Sequence, residues 1–495
     1  MPVMRYAPNH GRYRELIVGR LECVVPTLLT SAHMIRAPLR FASAIALSAT
    51  VAACGGDDGP IPPRTTAASL AFTAQPTEAL DGMPFAVEVR VTALDANGAA
   101  ATAPVDITME AITPRGALPL SGTRIATTRN GVASFPKLAV SGAGRGIVLS
   151  ARAPGLPPVE SKPFDVWLHF KQVTSGHTSA CGLTYEKVTW CWGDNTLSRL
   201  GVGDDVSRSV PTRLLGDFRF DSITSGGLQQ CGRLASRDVL CWGGQHPTPT
   251  PVAGHKFTWV ASGGGSCGVT TDAALYCWNA PTGAVITPTL VAKGPFRLSA
   301  TTGFVCGIDV NQRAYCMGNN ERGQLGFVSD GWRGTFTEPV GTLRLTRIDP
   351  AHVHACGLQG DGVAWCWGDN QYGQLGSASA GALSVSPVQV DGSQRYTSIS
   401  VGVRHACALA TDGNVWCWGD GVNGQLGGGT YVPSKIPVRV VAPVRFESAD
   451  AGGYYGCGIG VDGFTYCWGL NRNGELADGT TTDRASAVRV VPPLS

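Results

Sequence analysis

Fourteen of the sixteen cysteines form seven pairs whose members lie ten positions apart, a spacing that has to be assigned to metal binding or to disulfides. Zinc sites usually place about two to four residues between paired cysteines and often add histidine. Here nine residues intervene and the histidines do not recur in register. We therefore predict disulfides, which imply an oxidising compartment, with metal binding as the alternative. The pairs are Cys181–Cys191, Cys231–Cys241, Cys267–Cys277, Cys306–Cys316, Cys356–Cys366, Cys407–Cys417 and Cys457–Cys467.

Residues 407–427 show which element positions each pair. Two short apolar runs flank the turn Thr411-Asp412-Gly413, where Asp-Gly supplies the backbone angles of a tight hairpin. Folding about this turn places Cys407 opposite Cys417 on antiparallel strands, where Cβ atoms approach to about 4.5–5.5 Å. The unit therefore predicts a hairpin closed by its own disulfide.

The unit recurs along the chain, with first cysteines 50, 36, 39, 50, 51 and 50 residues apart. A tryptophan follows the second cysteine in six units, and Met317 replaces it in the fourth. Each unit opens with a short strand such as residues 170–173 and ends with one such as residues 437–440. Four strands per unit, seven times over, predict a seven-bladed β-propeller over residues 167–495.

The N-terminal region predicts export. Residues 1–53 contain the apolar segment 41–53, too short to span a bilayer but suited to a signal sequence, and translation is expected to begin at Met34. The segment resembles a bacterial lipoprotein signal, which implies diacylation of Cys54 and a lipid anchor. An ordinary signal peptide with an incidental cysteine is the alternative. Residues 54–68 read as a flexible tether.

Residues 69–166 lack cysteine and alternate apolar and polar residues, as in Phe85, Val87, Val89 and Val91. Asn130-Gly131 between two apolar runs predicts a hairpin. About seven short strands favour a β-sandwich. The stretch NGVASFPKLAVSGAGRGIVLSARAPGL resembles bacterial immunoglobulin-like domains, which implies a spacer or adhesive module.

The repeat C-x-L-x-x-D-G-x-V-x-C-W-G-x-N-x-x-G-Q-L-G is similar to that of the regulator of chromosome condensation (RCC1) family, and this resemblance implies a propeller. The expected fold class is thus all-β: a seven-bladed RCC1-like β-propeller with an N-terminal immunoglobulin-like β-sandwich. The family resemblance leaves function open, because propellers carry many kinds of site.

Composition and motifs argue against several functions. The net charge is +3 and 15% of residues are charged, which does not favour nucleic-acid binding. Sequence motifs of hydrolases, zinc proteases and P-loop enzymes are missing from the chain, so we expect a non-enzyme without cofactors. His354 and His405 precede their cysteines by two positions. They are either solvated or core histidines, or they form a weak metal or anion site.

Departures from the repeat point to a binding surface. Units two and three are 11–14 residues shorter and carry residues 244–249 and 279–283 in place of the Asn-x-x-Gly-Gln-Leu-Gly segment. Unit four carries an unusual loop at residues 327–336. The candidate binding residues are Trp332, Arg333 and Phe336 of this loop, together with His246 of unit two. We expect the loop to form a wall beside a notch that the shortened units two and three leave in the surface. The alternative is that the loop only packs on itself.

These features favour an interaction module that binds an extracytoplasmic protein or glycan and is lipid-anchored in the cell envelope, at the outer membrane or cell surface. A different class of function is inhibition of a secreted or periplasmic enzyme, since the family includes a secreted bacterial propeller that blocks β-lactamases. A third is guanine-nucleotide exchange, the activity of the family's nuclear founder, which would require a cytosolic GTPase.

Overall fold

The regular structure of this chain is almost entirely β-strand, as the Gly-rich sequence with short apolar runs predicts. The computed structural model describes residues 63–244, 246–263, 265–278, 286–293, 297–300, 303–328, 331–337 and 343–494. The predicted start at Met34, the signal segment, Cys54 and residues 54–62 of the tether lie outside the described residues. Those assignments stay predictions.

Twelve short strands occupy the N-terminal part of the described chain. They are β1 (Ser69–Ala74), β2 (Glu78–Leu80), β3 (Val89–Leu94), β4 (Asp106–Thr113), β5 (Gly116–Leu118), β6 (Leu120–Ser121), β7 (Ile125–Thr127), β8 (Val132–Phe135), β9 (Ala139–Val140), β10 (Gly144–Arg152), β11 (Val159–Glu160) and β12 (Phe164–Trp167). One sheet has the order β1-β3-β8, and a larger one runs β2-β12-β10-β4-β5, with β7 and β11 at its margins. Val91 and Phe135 of the first sheet share a buried core with Ile107, Leu149 and Phe164 of the second.

The predicted hairpin at Asn130-Gly131 is only half right. Both residues adopt the positive φ angles that the turn needs, and Arg129 pairs with Val132. Beyond that pair the strands diverge, because β7 pairs with β4 while β8 pairs with β3. The turn therefore connects two sheets instead of closing a hairpin within one. The strand expected from Phe85 also begins later, at Val89.

Residues 170–489 of the described chain form seven four-stranded antiparallel sheets, which we call sheets 1 to 7. Sheet 1 is β13 (Phe170–Ser175), β14 (Ser179–Thr184), β15 (Thr189–Gly193) and β16 (Arg208–Arg213), with a 3₁₀ turn at Thr196–Ser198. Sheet 2 is β17 (Phe220–Ser225), β18 (Gln229–Leu234), β19 (Val239–Gly243) and β20 (His246–Pro251). Sheet 3 is β21 (Phe257–Ser262), β22 (Ser266–Thr270), β23 (Ala274–Trp278) and β24 (Thr289–Lys293). Sheet 4 is β25 (Arg297–Ala300), β26 (Phe304–Ile308), β27 (Ala314–Gly318) and β28 (Arg333–Thr337).

Three further sheets complete the set. Sheet 5 is β29 (Leu345–Pro350), β30 (His354–Gln359), β31 (Ala364–Asp369) and β32 (Leu383–Gln389). Sheet 6 is β33 (Tyr396–Val401), β34 (His405–Ala410), β35 (Val415–Gly419) and β36 (Ser434–Arg439). Sheet 7 is β37 (Phe446–Ala451), β38 (Tyr455–Gly460), β39 (Thr465–Gly469) and β40 (Arg484–Arg489). The last strand of sheet 6 begins at Ser434, three residues before the strand expected at residues 437–440.

Every predicted disulfide is present, each joining the second and third strands of its sheet. The two cysteines of each pair stand directly opposite one another, as Cys407 and Cys417 do. Their Cα atoms lie 4.0–4.1 Å apart. The cysteines therefore bind each other within the hairpin, in agreement with the Asp-Gly turn.

The seven sheets close into a ring. The amide of Gly453 in sheet 7 donates to the carbonyl of Gly176 in sheet 1, at 3.0 Å. The indole N–H of Trp192 in sheet 1 donates to the carbonyl of Glu475 in sheet 7, also at 3.0 Å. Leu168, Phe170 and Tyr455 share one core across this junction. The first strand of each sheet lies innermost and lines a central channel.

Candidate functional site

The ring has two faces that differ in their connections. In an antiparallel sheet of four strands, the connections between strands 1 and 2 and between strands 3 and 4 lie at one end of the strands. The connection between strands 2 and 3 lies at the opposite end. The structure brings the first two together: Asp369 donates its amide to Val353 at 3.0 Å, and Asp420 donates to Arg404 at 2.9 Å. We call this side the loop face. The opposite side, which carries the 2–3 turns, is the hairpin face.

The N-terminal sheets contact the hairpin face at sheets 7 and 1. The rings of Trp167 and Phe464 meet edge to face at 5.6 Å, next to the 2–3 turn of sheet 7. Arg489 lies over both rings, 4.2 Å from the centre of Trp167 and 3.5 Å from that of Phe464, and forms an ion pair with Glu78 at 3.1 Å. These contacts leave the loop face uncovered by the described part of the chain.

The channel opens on the loop face through a cavity of about 190 Å³. The turns that follow the innermost strands line it, and several begin with glycine. A Cβ on Gly176 would lie 2.5 Å from the carbonyl oxygen of Gly226, and one on Gly402 would lie 2.4 Å from that of Gly452. Any side chain at these positions would push neighbouring sheets apart, so glycine permits the narrow mouth.

A ladder of polar contacts surrounds the channel just inside this mouth. Asp349 of sheet 5 accepts hydrogen bonds from the hydroxyl of Ser299 in sheet 4 at 2.5 Å and from the amide of Val401 in sheet 6 at 2.8 Å. Asp450 of sheet 7 accepts from the hydroxyl of Ser400 in sheet 6 at 2.8 Å and from the amide of Ser175 in sheet 1 at 2.6 Å. Two carboxyl groups thus join five consecutive sheets.

Both carboxyl groups hold their protons more tightly than an exposed aspartate does. Burial raises the pKa of Asp349 to about 7, and the charge of Asp450 adds to the effect. Burial likewise raises the pKa of Asp450 to about 6. The four hydrogen bonds that these carboxyl groups accept all come from neighbouring sheets, so their arrangement holds the sheets of the ring together.

The two histidines singled out from the sequence are core residues. His354 and His405 are buried at equivalent places in sheets 5 and 6. Burial lowers the pKa of His354 to about 3 and that of His405 to about 4, which favours the neutral rings. In the ranges that the structure describes, no group of three or more His, Cys, Asp or Glu side chains is arranged to hold a metal ion.

Basic and aromatic side chains stand around the mouth of the channel. The guanidinium of Arg404 lies over the ring of Tyr372 at 4.5 Å. His177 is exposed and meets Tyr454 edge to face, with ring centres 5.9 Å apart. Partial desolvation of its ring against the neighbouring side chains and the charge of Arg199 lower the pKa of His177. Such side chains are common at protein interfaces.

Trp332 stands out on the loop face of sheet 4. Its side chain is 69% exposed, and Val328 in the same connection is 83% exposed. The amide of Asn320 donates to the carbonyl of Gly331 at 3.2 Å, which holds this connection beside the third strand. Large apolar side chains that are exposed in one connection are candidates for a binding surface.

The other candidate residues are placed differently from the expectation. Arg333 and Phe336 belong to β28 rather than to a loop; Arg333 is exposed, while Phe336 packs partly against the core between sheets 3 and 4. His246 begins β20 and is only 5% exposed, with Nδ1 3.3 Å from the hydroxyl of Thr250. In the shortened unit two the last strand starts at His246 itself, so this side chain is drawn into the sheet and buried.

Asp349 and Asp450 were missed from the sequence, although a signal was present. Seven positions before the first cysteine stand Thr174, Thr224, Ser299, Asp349, Ser400 and Asp450 in six of the units. A polar residue in constant register beside a buried strand predicts a shared contact. Its partners lie in neighbouring units, so the spacing alone does not identify them.

Comparison with known proteins supports the repeat and the fold. Residues 361–409 and 412–459 match a family model described as regulator of chromosome condensation (RCC1) repeat, and residues 396–425 match a second model with the same description. A comparison with curated proteins found no significant match.

Two solved structures of RCC1-like proteins resemble the chain. Yeast RCC1 (Prp20), solved with bound Kap60, is 20% identical; the match covers 62% of this chain and 84% of that one, with a TM-score of 0.54. Prp20p of Saccharomyces cerevisiae, solved in a study of its binding to Gsp1p and histones, is 19% identical, with coverages of 62% and 87% and a TM-score of 0.53. At this identity the likeness concerns the fold, an RCC1-like β-propeller.

Proposed function

We propose that the protein is a non-enzymatic interaction module that binds a protein partner through the loop face of a seven-bladed RCC1-like propeller. The observation that carries this proposal is the exposure of both Trp332 and Val328 in the 3–4 connection of sheet 4, on the face opposite the N-terminal sheets. Tryptophan and arginine are enriched among residues that dominate binding energy, and Arg333 adjoins Trp332. The yeast RCC1-like protein, whose fold is similar, was solved with a bound protein.

The proposal includes a location. Disulfides in all seven sheets favour an oxidising compartment. Together with the lipoprotein-like signal ending at Cys54, they support a propeller anchored by lipid in the cell envelope. The N-terminal sheets would then act as an immunoglobulin-like spacer. In the part of the chain that the structure describes, no helix has the length and apolar character to cross a membrane.

The intact mass of protein extracted from native membranes without reductant tests the location. We expect residues 54–495 with a diacylated Cys54, and two hydrogens missing for each of the seven disulfides. A mass that begins at Met1 and carries free thiols would contradict both the anchor and the compartment.

Partner capture tests the binding face. Envelope proteins retained by the immobilised chain are identified, and the affinity of the main one is measured for Trp332→Ala and Arg333→Ala. We expect each change to weaken binding at least about tenfold. Val310→Ala is the matched control, because Val310 is 74% exposed in the same sheet but at its hairpin turn.

Unchanged affinity in both loop-face variants, or an equal loss in the control, would overturn the loop-face proposal. Retention of a glycan instead of a protein would contradict the partner class. Inhibition of a secreted hydrolase would identify the partner as an enzyme, whereas release of nucleotide from a small GTPase would contradict an envelope location.

A further inference from the structure

The junctions between neighbouring sheets are closed by contacts that recur at fixed positions, which allows them to be compared one by one. The innermost contact is a hydrogen bond beside the channel. It joins a polar side chain on the first strand of one sheet to the first strand of the neighbouring sheet. It is present at six junctions: Thr174 to Ser225 at 3.1 Å, Thr224 to Ser262 at 3.3 Å, Asp349 to Ser299 and to Val401, Ser400 to Ala451 at 3.0 Å, and Asp450 to Ser175. At the junction of sheets 3 and 4 the acceptor position is Ala261, whose methyl group accepts no hydrogen bond.

The tryptophan contact differs at the same place. After the second cysteine, six sheets carry a tryptophan that fills the space toward the preceding sheet, as Trp367 and Trp418 do. In four of them its indole N–H also donates to a carbonyl of that preceding sheet, at 3.0–3.1 Å. Sheet 4 has Met317 instead, and Met317 is not fully buried.

The apolar core is smallest here as well. Among the described residues, the core between sheets 3 and 4 contains four fully buried side chains, those of Ala261, Cys267, Val269 and Leu275. The core between sheets 5 and 6 contains fourteen, including Tyr396 and Trp418. Since apolar burial supplies most of the cohesion between packed sheets, the described residues give this junction the least cohesion of the seven.

A cavity adjoins this junction on the hairpin face. It has a volume of about 570 Å³ and is lined by Thr258 and Val269 of sheet 3, Ile308 and Val310 of sheet 4, and Leu345 of sheet 5. Open space beside a thin core forfeits contacts that other junctions make.

We propose that the junction between sheets 3 and 4 is the seam at which the ring opens. Among the described residues, separation there breaks neither the polar side-chain contact beside the channel nor the tryptophan contact, and it turns the closed channel into a cleft between β21 and β25. The other junctions stay closed during this motion because each retains the polar contact beside the channel. The inference rests on the fold and is independent of the proposed partner.

Hydrogen exchange of the full chain, followed by mass spectrometry, tests the seam. Amides exchange through local opening, so their rates report the free energy of that opening. We expect peptides containing β25 to exchange at least about tenfold faster than peptides containing β33 or β37. The variant Ala261→Ser restores a hydroxyl at the ladder position and is expected to slow exchange in β25 about three- to tenfold, in line with one added hydrogen bond.

The matched variant is Thr224→Ala, which removes the equivalent acceptor between sheets 2 and 3. It is expected to speed exchange in β21 by a similar factor while leaving β33 unchanged. Similar exchange rates in all seven innermost strands would overturn the seam. So would fastest opening at another junction, or an Ala261→Ser variant whose exchange in β25 equals that of the wild type.

Discussion

At the scale of single residues, the buried carboxyl groups of Asp349 and Asp450 make the ring sensitive to pH. The ordinary pKa of an aspartate is 3.8, and burial raises that of Asp349 to about 7 and that of Asp450 to about 6. A carboxyl group with a higher pKa in the folded chain binds its proton more tightly there. Its contribution to stability is therefore complete below about pH 4 and is lost as the pH rises through about 6 to 7.

The variant Asp349→Asn tests this dependence. The amide keeps the size of the protonated carboxyl group, still accepts from Val401 and carries no charge at any pH. Between pH 4 and pH 8 the free energy of unfolding is expected to decrease in both proteins. We expect the decrease to be about 1–3 kcal/mol smaller in the variant than in the wild type. Urea denaturation across this range measures it.

Asp361→Asn is the control, because Asp361 lies in an exposed hairpin turn of the same sheet. An unchanged pH slope in Asp349→Asn would show that the carboxyl group titrates alike in the folded and unfolded chain.

At the scale of elements, tryptophans hydrogen-bond sheets 1, 5, 6 and 7 to the 3–4 connection of the preceding sheet. The indole N–H of Trp468 donates to the carbonyl of Gln425 in sheet 6 at 3.1 Å. Trp242 is equally buried, but its indole N–H has no hydrogen-bond partner among the described residues. The preceding sheet 1 has Ser198-Arg199-Leu200-Gly201 where sheets 4, 5 and 6 have the Gly-Gln-Leu-Gly segment. The Gly-Gln-Leu-Gly segments thus present carbonyl groups to the next sheet.

Trp468→Phe and Trp242→Phe form a matched pair that separates this hydrogen bond from packing. Both lose the same ring volume from a buried site, and only the first leaves a buried carbonyl unpaired. We expect Trp468→Phe to be the more destabilising by about 1–2 kcal/mol, measured by chemical denaturation. Equal losses would mean that the tryptophans act through packing alone.

At the scale of the whole molecule, the N-terminal sheets are fastened to the ring. Arg489 lies between the rings of Trp167 and Phe464 and pairs with Glu78. Trp167 is the last residue of β12, which pairs in parallel with β2 of the larger N-terminal sheet. This arrangement holds the N-terminal sheets to the hairpin face and leaves the loop face free of them.

Arg489→Ala tests the attachment. Each cation–π contact contributes about 0.5–2 kcal/mol, so its loss is expected to uncouple unfolding of the N-terminal sheets from that of the ring. Calorimetry of the variant should then show separate unfolding transitions for the N-terminal sheets and for the ring. If the wild type already shows two transitions, their separation should be wider in the variant. Arg439→Ala is the control, because Arg439 occupies the same place in sheet 6 and is exposed. Identical melting profiles for both variants would contradict the coupling.

The sequence by itself determined the disulfide-closed hairpins and the order of the repeats. Cys407 and Cys417 meet because the tight turn at Asp412-Gly413 folds their two strands together, and such local geometry depends little on the remainder of the chain. The same reasoning failed at Asn130-Gly131, where the turn formed but its two strands joined different sheets. Pairing partners outside a turn are chosen by burial across the whole domain.

Only the tertiary structure decided what lies between repeats. Asp349 meets Ser299 and Val401 across about fifty residues on either side, and His246 is buried because a shortened unit begins its last strand at once. The free loop face follows from where the N-terminal sheets dock, and the seam follows from contacts missing between two particular sheets. These features arise from packing between distant segments, which the spacing of residues within one unit does not encode.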